Sequence, residues 1–457
     1  MQALIILLIL ILACGEYVTT ALGLPTIFRF LPEAISGIFV IYVVFAGTRN
    51  QFRLVAQKYW LAVGALAVVM LCGIANNPSG AGPMLSAARL FFRAVPLFFL
   101  PAVLPQTDSQ LLRQMKLLLG VAVLQLPIAA FQRWTILDAG RYSGDDVRGT
   151  MLDSGILSMF QICAVLLVTG MMLKGRIGKV TYAILFFVLL IPTAINETKA
   201  TVVFLPIGLL VTLVLGSDPR QRLRFGVVGL LGLMMFGAIF VPVYNKMEEF
   251  NPVKKQRDLT NYFTDQKALS RYMSGNVTGV GTKMVVRRGD AIVVPLQYVS
   301  KDPVTLAFGL GLGSVSPSNF GKNFEGEYFD LFKRFIITSF TYFILEVGAF
   351  GMIIIGFLFW LVFQDSLQVA RKDETLVGAL AAGWSGVVAL FATAVMYNCF
   401  YQFASVTYLY AYFSGVICAR AVALQSRPAA DQPAAKRAEP TVAIEELALR
   451  RARNINP

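Results

Sequence analysis

The side chains in this sequence that could do chemistry are mostly arginines, and two of them fall inside a long apolar segment. Arg89 and Arg93 occur in SAARLFFRAVPLFF, so a helix over this segment carries both on one face. A guanidinium there needs a counter-charge, and its planar fork of N–H donors matches phosphate or diphosphate oxygens. Arg93 therefore predicts an anion site, whereas Arg89 is close enough to the end of the segment to reach lipid headgroups instead.

A single carboxylate, Glu346, lies well inside another apolar segment, FILEVGAFG. A carboxylate at that depth must find a partner or become neutral. Two interpretations are open: Glu346 is a general base for a reaction, or it forms a structural ion pair with Arg89 or Arg93.

The remaining candidates lie at the ends of apolar segments. In chain order they are Arg141, Arg148 and Asp153 in GRYSGDDVRGTMLDSG, Glu197 and Lys199 in INETKAT, and Arg287 and Arg288 ahead of the glycine-rich GLGLGS. Each alone is typical of an ordinary exposed charge. Together they predict several guanidinium groups at one surface, which would suit the oxygens of a phosphate or diphosphate.

Several kinds of chemistry are disfavoured by what the sequence lacks. It contains no histidine, which removes the commonest general base and the commonest transition-metal ligand. The glycine run has no Walker lysine, and the five cysteines show no Cys-x-x-Cys spacing. No Asp-x-Asp motif occupies a predicted outer loop, so we expect a metal-independent reaction and no cofactor.

Membrane helices are the elements that must position these residues. Only 14% of the 457 residues are charged, whereas soluble proteins carry roughly 25%. About twelve apolar blocks are long enough to cross the hydrocarbon layer. They cover residues 2–22, 33–47, 59–75, 85–104, 115–132, 154–173, 179–194, 200–216, 225–243, 336–363, 376–396 and 401–419.

Charges between the blocks predict how the helices are oriented. Basic residues concentrate in alternate short connections, which places those connections and both termini in the cytoplasm. The net charge of +14 then reflects anchoring at the cytoplasmic face, and no nucleic-acid binding is expected. No basic residue precedes the first block, so we expect a retained helix rather than a cleaved signal peptide.

The chain divides into four parts. Residues 1–243 hold nine predicted helices, 244–335 form a large outer loop, 336–419 hold three helices and 420–457 form a cytoplasmic tail. The outer loop is either an ordinary folded loop with a small aromatic core or a surface for an anionic or glycan ligand. Its aromatic residues are Tyr262, Phe263, Tyr272, Tyr298, Phe320, Phe324, Tyr328 and Phe329.

Four short motifs, in order along the chain, resemble the O-antigen polymerase and O-antigen ligase superfamily. They are Arg148-Gly149-Thr150 with Gly155, Thr198-Lys199-Ala200 in place of a Ser-Arg turn, Arg288 ahead of Gly309-x-Gly311-x-Gly313, and Glu346-x-Gly348. The resemblance implies an all-α polytopic integral membrane protein of GT-C-like architecture, with about twelve transmembrane helices and a large extracytoplasmic loop.

The same resemblance implies an enzyme of the bacterial cytoplasmic (inner) membrane. It would transfer a glycan chain from polyprenyl diphosphate to the next lipid-linked repeat unit at the periplasmic face. Its implied partners are the lipid-linked oligosaccharide and membrane lipids, with a chain-length co-polymerase and a flippase as further candidates. The catalytic residues would be Arg288, Arg148 and Glu346, with Glu197 and Asp153 as reserve bases. Diphosphate or glycan binding would fall to Arg89, Arg93, Arg141, Glu197, Lys199 and Arg287.

Two alternatives remain open. A ligase would transfer the glycan to an acceptor lipid, but ligases of this superfamily carry a histidine just before the Glu-x-Gly helix, and residues 337–341 contain none. A transporter or flippase for an anionic lipid-linked glycan would also place arginine and glutamate in the membrane. Such a path needs polar groups in both membrane halves, whereas the predicted ionisable residues crowd one side.

Overall fold

The computed structural model describes residues 1–21, 23–25, 28, 30–50, 52–53, 55–139, 144–217, 219–249, 265–266, 286–318 and 321–426. Within these ranges the chain is helical and contains no β-strand. The α-helices are α1 Gln2–Ala21, α2 Leu31–Asn50, α3 Gln57–Asn76, α4 Ala81–Phe92, α5 Val95–Val103, α6 Asp108–Asp138, α7 Ser154–Leu173, α8 Lys179–Ile195, α9 Thr201–Leu215, α10 Arg222–Glu249, α11 Arg288–Val299, α12 Pro303–Phe308, α13 Phe329–Phe332, α14 Ser339–Lys372, α15 Leu376–Ala394 and α16 Ala404–Gln425.

Eight helices within the described ranges are long and apolar enough to cross a membrane: α2, α3, α6, α7, α10, α14, α15 and α16. The bent pair α4–α5 makes a ninth if it is one span, and three shorter apolar segments cover Gln2–Gly15, Lys179–Ile195 and Thr201–Leu215. Each predicted apolar block overlaps one of these helices. The protein is therefore a polytopic helical membrane protein, and the number of twelve spans remains a prediction.

The centre of the bundle is formed by α7 and α15, which are the most deeply buried of the long helices. Glycines bring their backbones together: a Cβ on Gly170 would lie 2.4 Å from the Ala379 carbonyl oxygen, and one on Gly383 would lie 2.5 Å from that of Leu166. Small residues at a crossing allow this close approach, which van der Waals packing then stabilises.

The helix ends collect at two opposite ends of the bundle. At one, which we call the Asn398 end, Asn196 donates to the Ser154 carbonyl (2.9 Å) and the Ser339 amide donates to that of Asn398 (3.1 Å). At the other, the Asp373 end, Arg420 pairs with Asp373 (2.7 Å). Lys174, from a connection predicted to be cytoplasmic, binds Glu374 there. These contacts place the connections before α7 and after α8 at one end and the connection between α7 and α8 at the other, and which end faces the cytoplasm remains a prediction.

The helix predicted over 85–104 is broken. α4 ends at Phe92 and α5 begins at Val95, and the two are bent by 42°. Pro96 in the first turn of α5 accounts for the break, because its ring has no N–H and would clash with the carbonyl of Phe92 in a continuous helix. Arg93 therefore lies at a bend, where its carbonyl accepts a hydrogen bond from Ser36 (2.8 Å).

The glycine-rich segment 309–313 packs against a second break, inside α14. Gly348 has φ 64°, and the carbonyl of Leu345 accepts a hydrogen bond from the Leu310 amide. Gly309, Gly311 and Gly313 also have positive φ, which glycine adopts without strain. A Cβ on Gly348 would lie 2.4 Å from the Gly309 nitrogen, so the two glycine motifs are in direct contact.

The predicted outer loop begins later than residue 244, because α10 continues to Glu249, and α14 begins at Ser339. In its described part a small aromatic core is present, as one interpretation predicts: the rings of Tyr298 and Phe332 lie 5.1 Å apart, and Tyr328 and Phe329 pack against the same cluster. Tyr262, Phe263, Tyr272 and Phe320 lie outside the described residues, as do residues 427–457 of the predicted tail.

Candidate functional site

Residues from four separate parts of the chain line a polar pocket of about 340 Å³ at the Asn398 end. We call it the polar pocket. Its lining residues are Asp153, Ser154, Gly155, Glu197, Thr198, Lys199, Arg288, Tyr397 and Asn398. Three of the four motifs that resemble the superfamily therefore contribute to it, although they lie far apart in the sequence.

The start of α7 forms one wall of the polar pocket. Asp153 is its N-cap, and one carboxylate oxygen accepts a hydrogen bond from the Ile156 amide (2.7 Å). Gly155 follows, and an added Cβ there would lie 3.0 Å from the side-chain amide nitrogen of Asn398, which is a tight contact. The Asp-Ser-Gly sequence thus begins the helix and leaves space beside Asn398.

The turn after α8 forms the second wall. Glu197 adopts φ 55°, which is uncommon for a residue other than glycine. Its carboxylate pairs with Arg133 at 2.6 Å, and both side chains are about 95% buried. This ion pair stabilises the turn from which Lys199 reaches the pocket. It also compensates much of the negative charge of Glu197 before any ligand binds.

Arg288 enters the pocket from the first turn of α11. Its guanidinium lies 3.6 Å from the centre of the Tyr397 ring, within the range of a cation–π contact. α11 is tied to α14 by a hydrogen bond from the Thr341 hydroxyl to the Ala291 carbonyl (2.6 Å). The position of Arg288 therefore depends on α14, and through it on the glycine-rich segment.

The polar pocket combines two cationic groups with a partly exposed carboxylate. Arg288 and Lys199 can stabilise negative charge on phosphate oxygens, and Asp153 can accept a proton from a hydroxyl. Asn398 and Thr198 add neutral hydrogen-bonding groups of the kind that bind sugar hydroxyls. This set of groups suits a substrate that has both an anionic and a hydroxyl-rich part.

Glu346 does not form the ion pair that one interpretation of the sequence predicts, and its role as a general base stays a prediction. It is fully buried, and its carboxylate accepts hydrogen bonds from the amides of Gly313 and Val315 and from the Ser316 hydroxyl. The predicted pairing with Arg89 or Arg93 is wrong, because both arginines lie beside Glu33 instead. Glu346 is not among the residues that line the polar pocket, and it binds the glycine-rich segment to α14.

Arg89 and Arg93 line a second pocket, of about 320 Å³, which we call the Arg93 pocket. Both Arg89 and Glu33 are about one-fifth exposed, and they form a two-pronged pair with both distances 2.6 Å. Of the predicted arginines, Arg288 lines the polar pocket, and Arg89 and Arg93 line the Arg93 pocket. Two chain segments connect the pockets, since residues 150–152 and 402–405 line one and residues 153–155 and 397–398 line the other.

The other predicted site residues lie elsewhere. The Arg148 side chain is half exposed, lies 3.8 Å from Asp146 and does not line the polar pocket. The backbone amides of Arg148 and Gly149 donate hydrogen bonds to the Gln132 side chain. Arg287 directly precedes α11 and does not line the pocket. Arg141 lies outside the described residues.

Sequence reasoning missed several residues that shape the two pockets: Glu33, Arg133, Tyr397 and Asn398. Glu33 and Arg133 are charged residues at the ends of apolar segments. Because burying an unpaired charge is costly, the sequence could have predicted that each pairs with a charge of opposite sign. Tyr397 and Asn398 carry no comparable signal, because a neutral tyrosine or asparagine between two helices is ordinary.

No group of three or more acidic, cysteine or histidine side chains within the described ranges is arranged to hold a metal ion. The expectation of a metal-independent reaction remains a prediction. Comparison with known proteins yields no match to a family model and none to a curated protein sequence.

Proposed function

We propose that this protein is a glycosyltransferase that polymerises a polyprenyl-diphosphate-linked glycan, and that the polar pocket is its active site. The observation that carries the proposal is that Arg288, Lys199 and Asp153, from three distant segments, line one pocket of a membrane protein. The motif resemblance supplies the substrate class, and the pocket supplies groups of the right chemistry. Placement at the periplasmic face of the bacterial inner membrane belongs to the same proposal.

The proposed reaction is a substitution at the anomeric carbon of the donor glycan. A hydroxyl oxygen of the acceptor repeat unit forms a bond to that carbon, and the bond from the carbon to the diphosphate oxygen breaks. The electron pair stays on the polyprenyl diphosphate, and the hydroxyl proton passes to a carboxylate. The products are an elongated glycan on the acceptor lipid and free polyprenyl diphosphate.

Arg288 is assigned to the diphosphate leaving group, because a guanidinium stays charged and can donate to two oxygens at once. The ring of Tyr397 supports its guanidinium from one side. Lys199 adds a second positive charge, as a point charge rather than a fork. Arg148, a catalytic residue of the sequence-based hypothesis, and Arg93, one of its diphosphate- or glycan-binding residues, do not line the polar pocket.

Asp153 is assigned as the base that accepts the hydroxyl proton. Glu346 is enclosed by its hydrogen bonds to the glycine-rich segment, and Glu197 is already paired with Arg133. Asp153 lines the pocket and is only partly buried. Late proton transfer to such a carboxylate is sufficient, because the diphosphate is a good leaving group without protonation.

The test is reconstitution of the purified protein in lipid with the host's polyprenyl-diphosphate-linked repeat unit, read as a glycan ladder on a gel. We expect a ladder that is insensitive to a chelator and is abolished by Arg288→Gln. Arg334→Gln is the matched control, because Arg334 is an exposed arginine remote from the pocket residues in the sequence.

Other outcomes separate the alternatives. Transfer of one glycan to an added acceptor lipid, without a ladder, would support a ligase. Movement of the unchanged repeat unit across the bilayer, again without a ladder, would replace the enzyme with a transporter. A ladder that survives Arg288→Gln would refute the assignment of the polar pocket.

A further inference from the structure

Among the side chains that the structure describes, those lining the Arg93 pocket carry more positive than negative charge. Among its lining side chains that the structure describes, the charged ones are Glu33, Arg89 and Arg93. Arg89 donates to both oxygens of Glu33, so that pair is neutral. Arg93 approaches the same carboxylate only to 3.7 Å, which leaves one guanidinium charge largely uncompensated at a site in the apolar bundle.

Arg93 is buried but incompletely bonded. Its side chain is 6% exposed; one terminal nitrogen donates to the Tyr401 carbonyl (2.7 Å), and the guanidinium lies 5.8 Å from the Tyr408 ring centre. The Nε atom is buried and has no hydrogen-bond partner. An unmet donor on a buried cation costs free energy, and an anion in the pocket would satisfy both the donor and the charge.

The remaining walls of the Arg93 pocket are formed by apolar side chains and by polar ones that include Thr19, Thr150 and Gln402. Ile11, Leu12, Phe30 and Phe403 line it together with the charged residues. A smaller apolar chamber of about 60 Å³ adjoins it, since Leu12, Met151 and Ser405 line both. The chamber has room for only a few carbon atoms. Phe28 and Leu152 also line the Arg93 pocket and are about two-fifths exposed, so the pocket offers exposed apolar side chains to the rest of such a chain.

We infer that the Arg93 pocket is a second binding site, for a lipid whose headgroup carries a single negative charge on a phosphodiester. The phosphate oxygens bind Arg93, the first carbons of the chains contact the apolar walls, and the chains leave past Phe28 and Leu152. One uncompensated guanidinium matches one phosphodiester charge. The site is separate from the polar pocket and does not require the proposed glycosyl transfer.

The test is a thermal-unfolding titration of the full-length protein in a neutral detergent. Three probes separate the sources of binding: phosphatidylglycerol has phosphate and chains, diacylglycerol has chains alone, and inorganic phosphate has neither chains nor glycerol. We expect phosphatidylglycerol to raise the unfolding temperature with an apparent affinity at least about tenfold higher than either other probe, as one charge-assisted contact provides.

Variants assign this binding to the pocket. Arg93→Gln should weaken the phosphatidylglycerol response at least about tenfold, and Arg371→Gln, an exposed arginine at the Asp373 end, should retain it. Should Arg93→Gln not fold, Ala404→Trp keeps the charges, fills the pocket and should give the same loss.

Three results would overturn the inference. These are equal responses to phosphatidylglycerol and diacylglycerol, a response to inorganic phosphate as strong as to the lipid, and full binding by both pocket variants. Since no glycan is present, none of these results depends on whether the protein polymerises sugars.

Discussion

Asp153 serves two purposes with one carboxylate, because it caps α7 and also lines the polar pocket. Glu197 also has two roles, because its side chain stabilises its turn by pairing with Arg133 and also lines the pocket. At the scale of single residues, a substitution must therefore preserve the structural contact if it is to report on chemistry. Asparagine at position 153 does so, since it caps helices about as well as aspartate.

We expect Asp153→Asn to keep the fold and to lower the rate of glycan polymerisation by about 10²- to 10⁴-fold, because the amide cannot accept the hydroxyl proton. The measurement is the initial rate of ladder formation in the reconstituted assay. Asp146→Asn is the control, an aspartate of the same connection whose side chain is about 42% exposed. Comparable rates for the two variants would remove Asp153 from the mechanism.

Glu346 leads to a prediction about stability. In Glu346→Gln, an NH₂ group replaces one of the oxygens that accept from Gly313, Val315 and Ser316. A buried donor is then left unsatisfied, so the free energy of unfolding should fall by about 1–3 kcal/mol. Thermal unfolding in detergent measures this change, and exposed Glu327→Gln is the control.

The competing outcome for Glu346 is equally definite. An unchanged unfolding temperature together with loss of polymerisation would mean that the carboxylate works as the base of the original sequence hypothesis. The two readouts therefore separate a residue that holds the glycine-rich segment from one that touches the substrate.

At the scale of elements, α14 contacts both the glycine-rich segment and the helix that carries Arg288. Its glycine break accepts the segment 309–313, and its first turn anchors α11 and so Arg288. A helix that was regular through Gly348 could not accept the hydrogen bond from segment 309–313, because the Leu345 carbonyl would then accept one within the helix. Both named residues of the Glu-x-Gly motif thus have a structural role: Glu346 binds the glycine-rich segment, and Gly348 forms the helix break.

Gly348→Ala should lower the free energy of unfolding by at least about 1–3 kcal/mol, because alanine resists a positive φ and its Cβ would lie 2.4 Å from the Gly309 nitrogen. Gly356→Ala is the matched control in the same helix: nothing lies within 4 Å of its added Cβ, and alanine favours helix by roughly 0.5–1 kcal/mol. Thermal unfolding of both variants checks the prediction, and equal midpoints would contradict it.

Apolar length predicted where the helices lie, because the cost of placing backbone and charge in lipid acts locally along the chain. It did not predict the bend at Arg93, although Pro96 was visible as a helix breaker. Apolar length could not predict long-range partners. Arg133 donates to Glu197, 64 positions later in the chain, and Glu346 accepts hydrogen bonds from backbone amides about 30 positions earlier. Backbone donors carry no residue-type signal, so sequence alone could not identify them.

At the scale of the whole molecule, both pockets lie at the Asn398 end, and the basic residues Lys174 and Arg420 lie at the Asp373 end. The positive-inside rule then predicts that the Asp373 end faces the cytoplasm and that the pockets open on the opposite side. The structure shows the separation of the ends, and the orientation in the membrane is open to direct measurement.

Cysteine labelling checks that orientation. In a parent whose five native cysteines are replaced, Asp146→Cys should react in intact cells, or in spheroplasts, with a membrane-impermeant maleimide, because the Asp146 side chain is 42% exposed in the connection that precedes α7 at the Asn398 end. Lys179→Cys, exposed at the start of α8, should react only after the membrane is permeabilised. The reverse pattern would invert the topology and place the proposed active site in the cytoplasm.

Two segments, 150–155 and 397–405, contribute walls to both pockets. A ligand that displaced either segment in one pocket would move residues that border the other, so we expect binding at the two proposed sites to be coupled. In thermodynamic terms the two sites are linked, and the linkage is reciprocal: the factor by which one ligand changes the affinity of the second is the factor by which the second changes that of the first. If both proposals hold, the lipid surroundings act as an effector of the proposed glycosyltransferase, because lipid headgroups bound at Arg93 change the affinity of the polar pocket for its substrate.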